Sequence, residues 1–433
     1  MRIVLITPGT GTFYCGVCLR DEALAKALRD QGHEVESLPV YLPLVKEEIS
    51  SNESSSTEKL EPEIFFGGIN AYLQQISPLF RHSPRKLDKF FDRPRVLNLA
   101  AKMGEMTDPS KLGAMTLSML QGESGRQHKE LDRMIDYLRS QAPPDLICLA
   151  TALQAGMIRL LKTAFPSARI ACWYQGEDEF IDALSGGYAE RCWQELRLRG
   201  AEADSQIVPS QYFRDRIATK MKLDPSDIQI IPNGIDLSAF PSQLPSPPTS
   251  HRIGYLARMC PDKGLDLLID AFIQLHRNDP ETTATLRVMG VMRQADEAYV
   301  NLQKEKLAKA GLIQATEFLP NISREEKISG LTECTLFSVP ARYSEAFGLY
   351  VVEALAAGVP CVLPDHAAFP EIVGHQQQGI IYHPHDRRGL THALAEALTD
   401  PGTIQTWRKS ALDRARSEYD IHQTASALLR PQG

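Results

Sequence analysis

The sequence predicts an α/β protein with two doubly wound domains, each built on a parallel sheet. The chain has 433 residues, and at about 150 residues per domain this length indicates two to three domains. In both halves, short apolar runs alternate with stretches of helical periodicity, which is the pattern of parallel strands joined by crossover helices. Residues 241–250 contain four prolines and three serines and therefore predict an interdomain linker. We expect domains at 1–240 and 251–433.

In the first domain, the apolar run at residues 3–6 predicts a strand, followed by a glycine-containing turn and a helix that Gly32 closes. Further buried strands of this domain are predicted at 146–149, 169–173, 205–208 and 228–231. In the second domain, strands are predicted at 253–256, 285–289, 317–319, 335–339, 359–363 and 379–382. Ligands of doubly wound sheets lie at the carboxyl ends of the strands, so we expect the catalytic residues in those loops, within a cleft between the domains.

An insert at about 46–139 interrupts the first domain. Its first part, 46–61, is rich in serine and glutamate and predicts a loop, whereas 69–139 predicts helices. One stretch of the insert combines basic and aromatic side chains, namely Arg81, Arg85, Lys86, Lys89, Phe90, Phe91, Arg93 and Arg95. Such a stretch is either a solvated face or a contact with anionic lipid or a lipid-linked acceptor, so peripheral membrane contact stays open.

The composition narrows the class of protein. Hydrophobic residues at 43% and charged residues at 23% are typical of soluble globular chains. The net charge of −7 repels polyanions, which argues against a nucleic-acid partner. No apolar run approaches the length of about 18 residues that crosses a bilayer. The first ten residues hold a single basic side chain, so we expect a cytoplasmic protein without a signal peptide, with any membrane contact at the inner face.

The eight cysteines are too sparse for a disulfide framework, and most lie in apolar runs, which is typical of a reducing compartment. Cys15 and Cys18 form a C-x-x-C motif, which is compatible with a redox pair or half of a zinc site. No second C-x-x-C motif or histidine pair follows at a metal-ligand spacing, which favours a small-residue loop before a helix. We therefore predict no metal and no cofactor.

The most informative motif lies at residues 344–358. It places Glu345 and Glu353 eight residues apart, and the short helix between them starts near Phe347, Gly348 and Leu349. The helical rise separates the carboxylates by at most about 12 Å, so they can hold two ends of one nucleotide-sized ligand. The free backbone N–H groups at the helix start suit an anion. Glu353 lies in an apolar run, where a charge without a function is rare.

A second motif follows the first strand of the second domain. Arg258 and Lys263 lie five residues apart across a proline turn, so both cations are able to converge on one diphosphate. Alternatively, Asp262 caps the next helix and leaves Lys263 exposed to solvent. This motif alone leaves both interpretations open.

Together these motifs resemble the retaining glycosyltransferases of family 4, over nearly the whole chain except the insert. The matching pieces are Gly16 in the first loop, Asn233 within the run 232–236, Arg258 with Lys263 and Gly264, Gly290, and Glu345 with Glu353. The resemblance implies the GT-B architecture, in which two Rossmann-like domains face each other across a cleft. The first domain would bind the acceptor and the second the nucleotide sugar. The last helix then either stays with the second domain or crosses back to the first.

The same resemblance implies the reaction and the role of each residue. A sugar of hexosyl type would pass from a nucleotide diphosphate sugar to an unidentified hydroxyl acceptor, with retained anomeric configuration. Arg258, Lys263 and Glu345 form the implied catalytic set, in which the cations contact the departing diphosphate and Glu345 contacts hydroxyls of the transferred sugar. Glu353 would bind the ribose. The other implied substrate contacts are Gly16, Gln175, Asn233, Gly290, Leu319, Ile322, Phe347, Gly348 and Leu349, with Leu319 and Ile322 bordering the base.

Two features limit the mechanism that the resemblance implies. Family members often carry a histidine after the strand at 169–173, but this chain continues with Gln175, which can hydrogen-bond a sugar but cannot act as a base. The following Glu177 and Asp178 are either proton acceptors or part of an acidic helix cap. The chain contains no D-x-D triplet, which agrees with a reaction that needs no metal.

Three other functions are weighed against sugar transfer. A phosphorylase or an epimerase shares the architecture, and a non-catalytic protein could bind nucleotide sugars without turnover. A dinucleotide oxidoreductase is suggested by Gly9 and Gly11, but Tyr14 stands where the fingerprint requires a third glycine.

Overall fold

The computed structural model describes residues 1–8, 16–40, 74, 109–248, 251–386 and 388–430. It divides the chain into two compact units. Unit 1 comprises Met1–Pro209, Arg214–Ile231 and Leu428–Gly433, and unit 2 comprises Ser210–Phe213 and Pro232–Ala427. Each unit holds one six-stranded sheet in which the described strands pair in parallel. The predicted α/β class with two doubly wound sheets is confirmed.

The strands of unit 1 are β1 (Arg2–Thr7), β2 (Glu34–Pro39), β3 (Leu146–Leu149), β4 (Arg169–Trp173), β5 (Ser205–Val208) and β6 (Ile228–Ile230). They lie in the order β2-β1-β3-β4-β5-β6, and the apolar runs of β1, β3 and β5 are buried throughout. The helices that follow them are α1 (Gly16–Asp30), α2 (Pro109–Leu120), α3 (His128–Arg139), α4 (Ile158–Ala164), α5 (Glu177–Asp182), α6 (Tyr188–Gly200) and α7 (Gln211–Met221).

Local sequence explains where α1 ends. The Gly32 amide donates to the Arg29 carbonyl at 2.8 Å and the His33 amide donates to the Leu28 carbonyl at 3.2 Å. This pattern needs a left-handed residue, and Gly32 supplies it with φ of +85°. In the described part of the insert, residues 109–139 form the helices α2 and α3. The predicted loop at 46–61 and the basic stretch at 81–95 lie outside the described residues.

The strands of unit 2 are β7 (Arg252–Leu256), β8 (Thr285–Gly290), β9 (Thr316–Pro320), β10 (Leu336–Phe337), β11 (Cys361–Pro364) and β12 (Gly379–Tyr382). They lie in the order β12-β11-β10-β7-β8-β9. The chain runs outward from β7 to β9 and then returns to β10 on the other side of β7. The sheet therefore changes direction between β7 and β10, and such a switch point is where doubly wound sheets bind ligands.

The helices of unit 2 are α8 (Leu265–Asn278), α9 (Glu297–Lys309), α10 (Arg324–Thr332), α11 (Leu349–Ala356), α12 (Phe369–Ile372), α13 (Gly389–Thr399), α14 (Pro401–Glu418) and α15 (Ile421–Leu429). The core of this unit is apolar, and its largest fully buried rings are Tyr255, Phe272, Phe337 and Phe369. Strand β10 is shorter than the predicted 335–339, and the chain turns soon after it, where the Ala341 amide donates back to the Val339 carbonyl at 2.8 Å.

Two segments bear on the predicted domain boundaries. Residues 241–248, within the predicted linker, form no helix or strand and lie in unit 2, where the buried Arg408 donates to the Pro245 carbonyl at 2.9 Å. Residues 428–430, at the end of α15, lie in unit 1, where Arg169 donates to the Arg430 carbonyl at 2.8 Å. None of the helices described is both long and apolar enough to span a membrane.

Candidate functional site

The charged residues predicted for the donor site follow the central strands of the second sheet. Arg258 and Lys263 come after β7, and Glu345 comes after β10. These two strands flank the switch point and their carboxyl ends lie side by side. The sheet order therefore gathers charges that lie far apart in the sequence.

Lys263 and Glu345 are in direct contact, because the Lys263 ammonium donates to Oε1 of the Glu345 carboxylate. The Tyr350 hydroxyl donates to the same oxygen at 2.9 Å. Burial, together with the adjacent Glu345 carboxylate, raises the pKa of Tyr350 well above its usual value, which keeps the phenol protonated as a donor. The Lys263 side chain is 22% exposed and is paired with Glu345, which contradicts the alternative interpretation of an exposed lysine without a role.

The backbone explains how the loop after β7 reaches the loop after β10. Gly264 has φ of +69°, and a Cβ atom there would lie 2.0 Å from the Pro340 carbonyl oxygen. The Arg342 amide donates to the Asp262 carbonyl at 2.9 Å. The residue that precedes α8 is Gly264, and the Asp266 amide near the helix start donates to the Tyr299 hydroxyl at 3.0 Å, so the alternative role of Asp262 as a helix cap is wrong. The missing side chain at Gly264 thus permits the loop contact that brings Lys263 to Glu345.

Arg258 binds Asp296 through two hydrogen bonds, from Nε to Oδ2 at 3.0 Å and from Nη2 to Oδ1 at 2.8 Å. Asp296 immediately precedes α9, and its Oδ2 also accepts from the Arg293 amide at 3.0 Å. Burial opposes the charge of Asp296, but these donors hold the pKa of its carboxyl below the usual value. The sequence motifs did not identify Asp296. The only sequence feature that marks it is its position as an acidic residue near the start of a helix.

Glu353 also has a protein partner that the sequence did not indicate. Its Oε1 accepts from the Lys327 ammonium at 2.5 Å, and this pair joins α11 to α10. Both side chains are largely buried. The Glu353 carboxylate, which lies in an apolar run of the sequence, is therefore paired with Lys327.

Apart from Asn233, the remaining predicted contacts of unit 2 are apolar or backbone positions. Phe347 is buried and meets Tyr419 edge to face, with ring centroids 5.8 Å apart. Leu319, Ile322 and Leu349 pack against the core and stay partly exposed. Gly348 precedes α11 with φ of +98°, and Gly290 ends β8 with φ of +128°.

Asn233 lies in a segment that packs against α15. Asn233 is buried, and the Gly234 amide donates to the Thr424 hydroxyl at 3.0 Å. A Cβ atom at Gly234 would lie 2.7 Å from the Cα of Ile421. The glycine of this predicted motif therefore has a packing role inside unit 2.

In unit 1, Gln175 follows β4, and its backbone amide donates to Oε2 of Glu177 at 2.6 Å. Glu177 is buried, and its Oε1 accepts from the Thr151 hydroxyl at 2.5 Å and from the Ala152 amide at 2.9 Å. Burial raises the pKa of Glu177. Asp178 is buried beside Arg216, which donates to it. Glu177 thus ties the loops after β3 and β4 together.

The other features predicted for the first loop of unit 1 are only partly described. Gly16 begins α1, and Cys15 lies outside the described residues. Across the described ranges, no three His, Cys, Asp or Glu side chains come together as a metal-binding group.

Two family models match this chain. Residues 238–414 match the model described as "Glycosyl transferases group 1", and residues 119–239 match "Glycosyltransferase Family 4". Glycogen synthase of Mycobacterium tuberculosis is 30% identical over 52% of this chain and 53% of its own length. α-Maltose-1-phosphate synthase of Mycolicibacterium smegmatis is 27% identical over 57% of this chain and 67% of its own. The chain thus spans about half the length of the first of these relatives.

Solved structures share the fold of the whole chain. Sucrose-phosphate synthase of Thermosynechococcus elongatus superimposes with a TM-score of 0.69 at 18% identity, covering 99% of this chain and 97% of its own. Anabaena HepE, in a complex with UDP and glucose, superimposes with a TM-score of 0.64 at 16% identity, covering 99% and 98%. These likenesses confirm the GT-B fold.

Proposed function

We propose that this chain, which belongs to glycosyltransferase family 4, transfers a hexosyl group from a nucleotide diphosphate sugar to a hydroxyl acceptor with retained anomeric configuration. The contact between Lys263 and Glu345 carries the proposal. A sugar diphosphate joins hydroxyl groups to a dianionic phosphate chain, and a cation beside a carboxylate complements both.

The reaction needs stabilisation of the negative charge that develops on the diphosphate as the glycosidic bond breaks. We assign this role to Arg258 and Lys263, whose preorganised positive charges replace a divalent metal. Glu345 then accepts from hydroxyls of the transferred sugar, and Glu353 accepts from the ribose. Gly290, Leu319, Ile322, Phe347, Gly348 and Leu349 are proposed to line the rest of the donor site.

We assign the acceptor to unit 1 and propose that Gln175 hydrogen-bonds a sugar. Gly16 is proposed to let the first loop approach the donor phosphates, and Asn233 is a further proposed substrate contact of unit 2. A lipid-linked acceptor and contact with the inner membrane face are proposals that rest on the basic stretch at 81–95. Among the described cysteines, six are free and buried, which supports a reducing, cytoplasmic location.

The donor is tested by thermal shift with UDP, GDP, ADP and their sugars, in chelator and in magnesium. HepE has been solved with UDP and with UDP-glucose, which makes uridine nucleotides the first candidates. One base should stabilise the chain by about 2.7 kcal/mol at a hundredfold excess over its Kd, with no need for metal. Release of the nucleoside diphosphate should proceed at the same rate in chelator.

Three results would contradict parts of this proposal. Turnover that stops in chelator and returns with magnesium or manganese would contradict the role of the two cations. Turnover with free phosphate and no nucleotide would indicate a phosphorylase. Binding of nucleotide sugars without any turnover would indicate a binding protein.

A further inference from the structure

We propose that Asp296 is a positioning residue, which holds one edge of the Arg258 guanidinium so that the other edge meets the departing diphosphate. The proposal rests on the proposed function, because it takes Arg258 as a contact of the diphosphate. It adds a residue from a different strand-end loop, since Arg258 follows β7 and Asp296 follows β8.

The geometry of the pair divides the guanidinium into two edges. Of its five N–H donors, the Nε–H and one N–H of Nη2 point to the Asp296 carboxylate, at 3.0 and 2.8 Å. The group is planar, so both N–H bonds of Nη1 and the second of Nη2 point away from that carboxylate. The Arg258 side chain is 37% exposed and that of Asp296 is 6% exposed. The exposed partner of the pair is therefore the arginine, which has three N–H donors that do not bind the Asp296 carboxylate.

The Asp296 carboxylate is itself held in place. Its Oδ2 accepts from the Arg293 amide at 3.0 Å as well as from Arg258. A bidentate pair with a fixed carboxylate leaves the guanidinium plane little freedom to rotate. The ordering of the arginine is then complete before ligand binds, which is how preorganisation increases affinity.

When Asp296 is neutralised, the proposal predicts a change in diphosphate affinity opposite in direction to that expected from simple electrostatic repulsion. A buried carboxylate near a diphosphate repels it, so neutralising Asp296 would by itself tighten binding of the anion. If Asp296 instead positions Arg258, neutralising it weakens binding, because the asparagine amide turns an N–H donor toward the guanidinium and breaks the bidentate pair.

The test is calorimetric titration of the full chain with whichever of UDP, GDP and ADP stabilises it most, and with the corresponding monophosphate. Asp296→Asn should weaken binding of the diphosphate roughly tenfold or more and leave that of the monophosphate within about twofold. In the Arg258→Gln background, Asp296→Asn should add no further loss. Asp270→Asn is the matched control, because Asp270 forms an exposed pair with Lys306 in the same unit and its neutralisation should change neither affinity.

Several outcomes would overturn the proposal. They are diphosphate binding by Asp296→Asn that is unchanged or tighter, an equal loss for the monophosphate, or a loss that persists in the Arg258→Gln background. The last two would identify Asp296 as a structural residue of the α9 start. Should Asp296→Asn not fold, Asp296→Glu keeps the charge and displaces the carboxylate by one methylene, and normal diphosphate binding by it would also contradict the proposal. If the wild-type chain binds no nucleoside diphosphate at all, the proposed function falls first and this proposal falls with it.

Discussion

The division of labour between Glu353 and Glu345 is the sharpest prediction for the donor site. Glu353→Gln should weaken binding of the free nucleoside diphosphate, because the ribose loses a charged acceptor. Such a hydrogen bond contributes about 1.5 to 3 kcal/mol, which corresponds to roughly ten- to a hundredfold in Kd. Glu345→Ala should retain that affinity or raise it, since it frees Lys263 for the phosphates, but it should lower turnover of the intact donor.

The pairing of Glu353 with Lys327 adds a second effect that must be separated from the first. Lys327 is 9% exposed and Glu353 is 18% exposed, so a change at Glu353 leaves a largely buried ammonium without this carboxylate. Breaking a buried pair from one side costs about 3 to 5 kcal/mol of stability, whereas replacing both charges is often nearly neutral. The double variant Lys327→Met, Glu353→Gln should therefore recover the melting temperature lost in Glu353→Gln without recovering nucleotide affinity.

Calorimetric titration gives the affinities, and thermal melting of the same preparations gives the stabilities. Equal losses of diphosphate affinity in the Glu345 and Glu353 variants, or no loss in either, would refute the assignment. Recovery of affinity in the double variant would show that Glu353 acts on the fold and not on the ribose.

Three further predictions concern other parts of the chain. Gly264→Ala should lower the melting temperature more than Gly311→Ala. Both glycines have a similar positive φ, but a Cβ atom at Gly264 would lie 2.0 Å from a carbonyl oxygen, whereas one at Gly311 meets nothing within 4 Å. Equal decreases in melting temperature would contradict the role of Gly264 in the loop contact. Burial raises the pKa of Asp21 to about 6, from an ordinary value of 3.8, so its favourable contribution to stability is present below about pH 4 and is lost as the pH rises through 6. Between pH 4 and 7 the melting temperature of the wild type should therefore fall, and that of Asp21→Asn should fall less. Parallel pH profiles of the two proteins would contradict this role of Asp21. The double variant Cys15→Ser, Cys18→Ser should keep most of its turnover in reducing buffer, because the loop needs small residues and not thiols. Loss of turnover or of bound zinc in this variant would restore the redox or metal interpretation.

The sequence predicted several strands well because they pair in parallel and are mostly buried. Those at 146–149, 169–173, 205–208 and 379–382 have the predicted bounds to the residue, whereas the edge strands β2 and β9 are partly exposed. At β10, where only two residues pair, the apolar run extends beyond the strand and the prediction was too long.

The sequence indicated candidate site residues only through motifs whose members lie close in sequence. The motifs indicated Arg258, Lys263, Glu345 and Glu353, but not the partners that hold them. Lys263 and Glu345 are 82 residues apart, and Arg258 and Asp296 are 38 apart. Such pairs depend on which strands are neighbours, and composition and periodicity carry no information about sheet order.

The packing of Gly234 against α15 has a consequence for how unit 2 is made during translation. The Ile235 amide donates to the Tyr419 carbonyl at 2.9 Å, and the Ile421 amide donates to the Ile235 carbonyl at 3.1 Å. These bonds join the beginning of unit 2 to its final helix, with nearly all of the unit between them. The ribosome must therefore synthesise residues 419–424 before this contact can close, although every strand of the second sheet emerges earlier. We expect released chains that end at residue 418 to stay protease-sensitive in unit 2, and released chains that include α15 to be resistant.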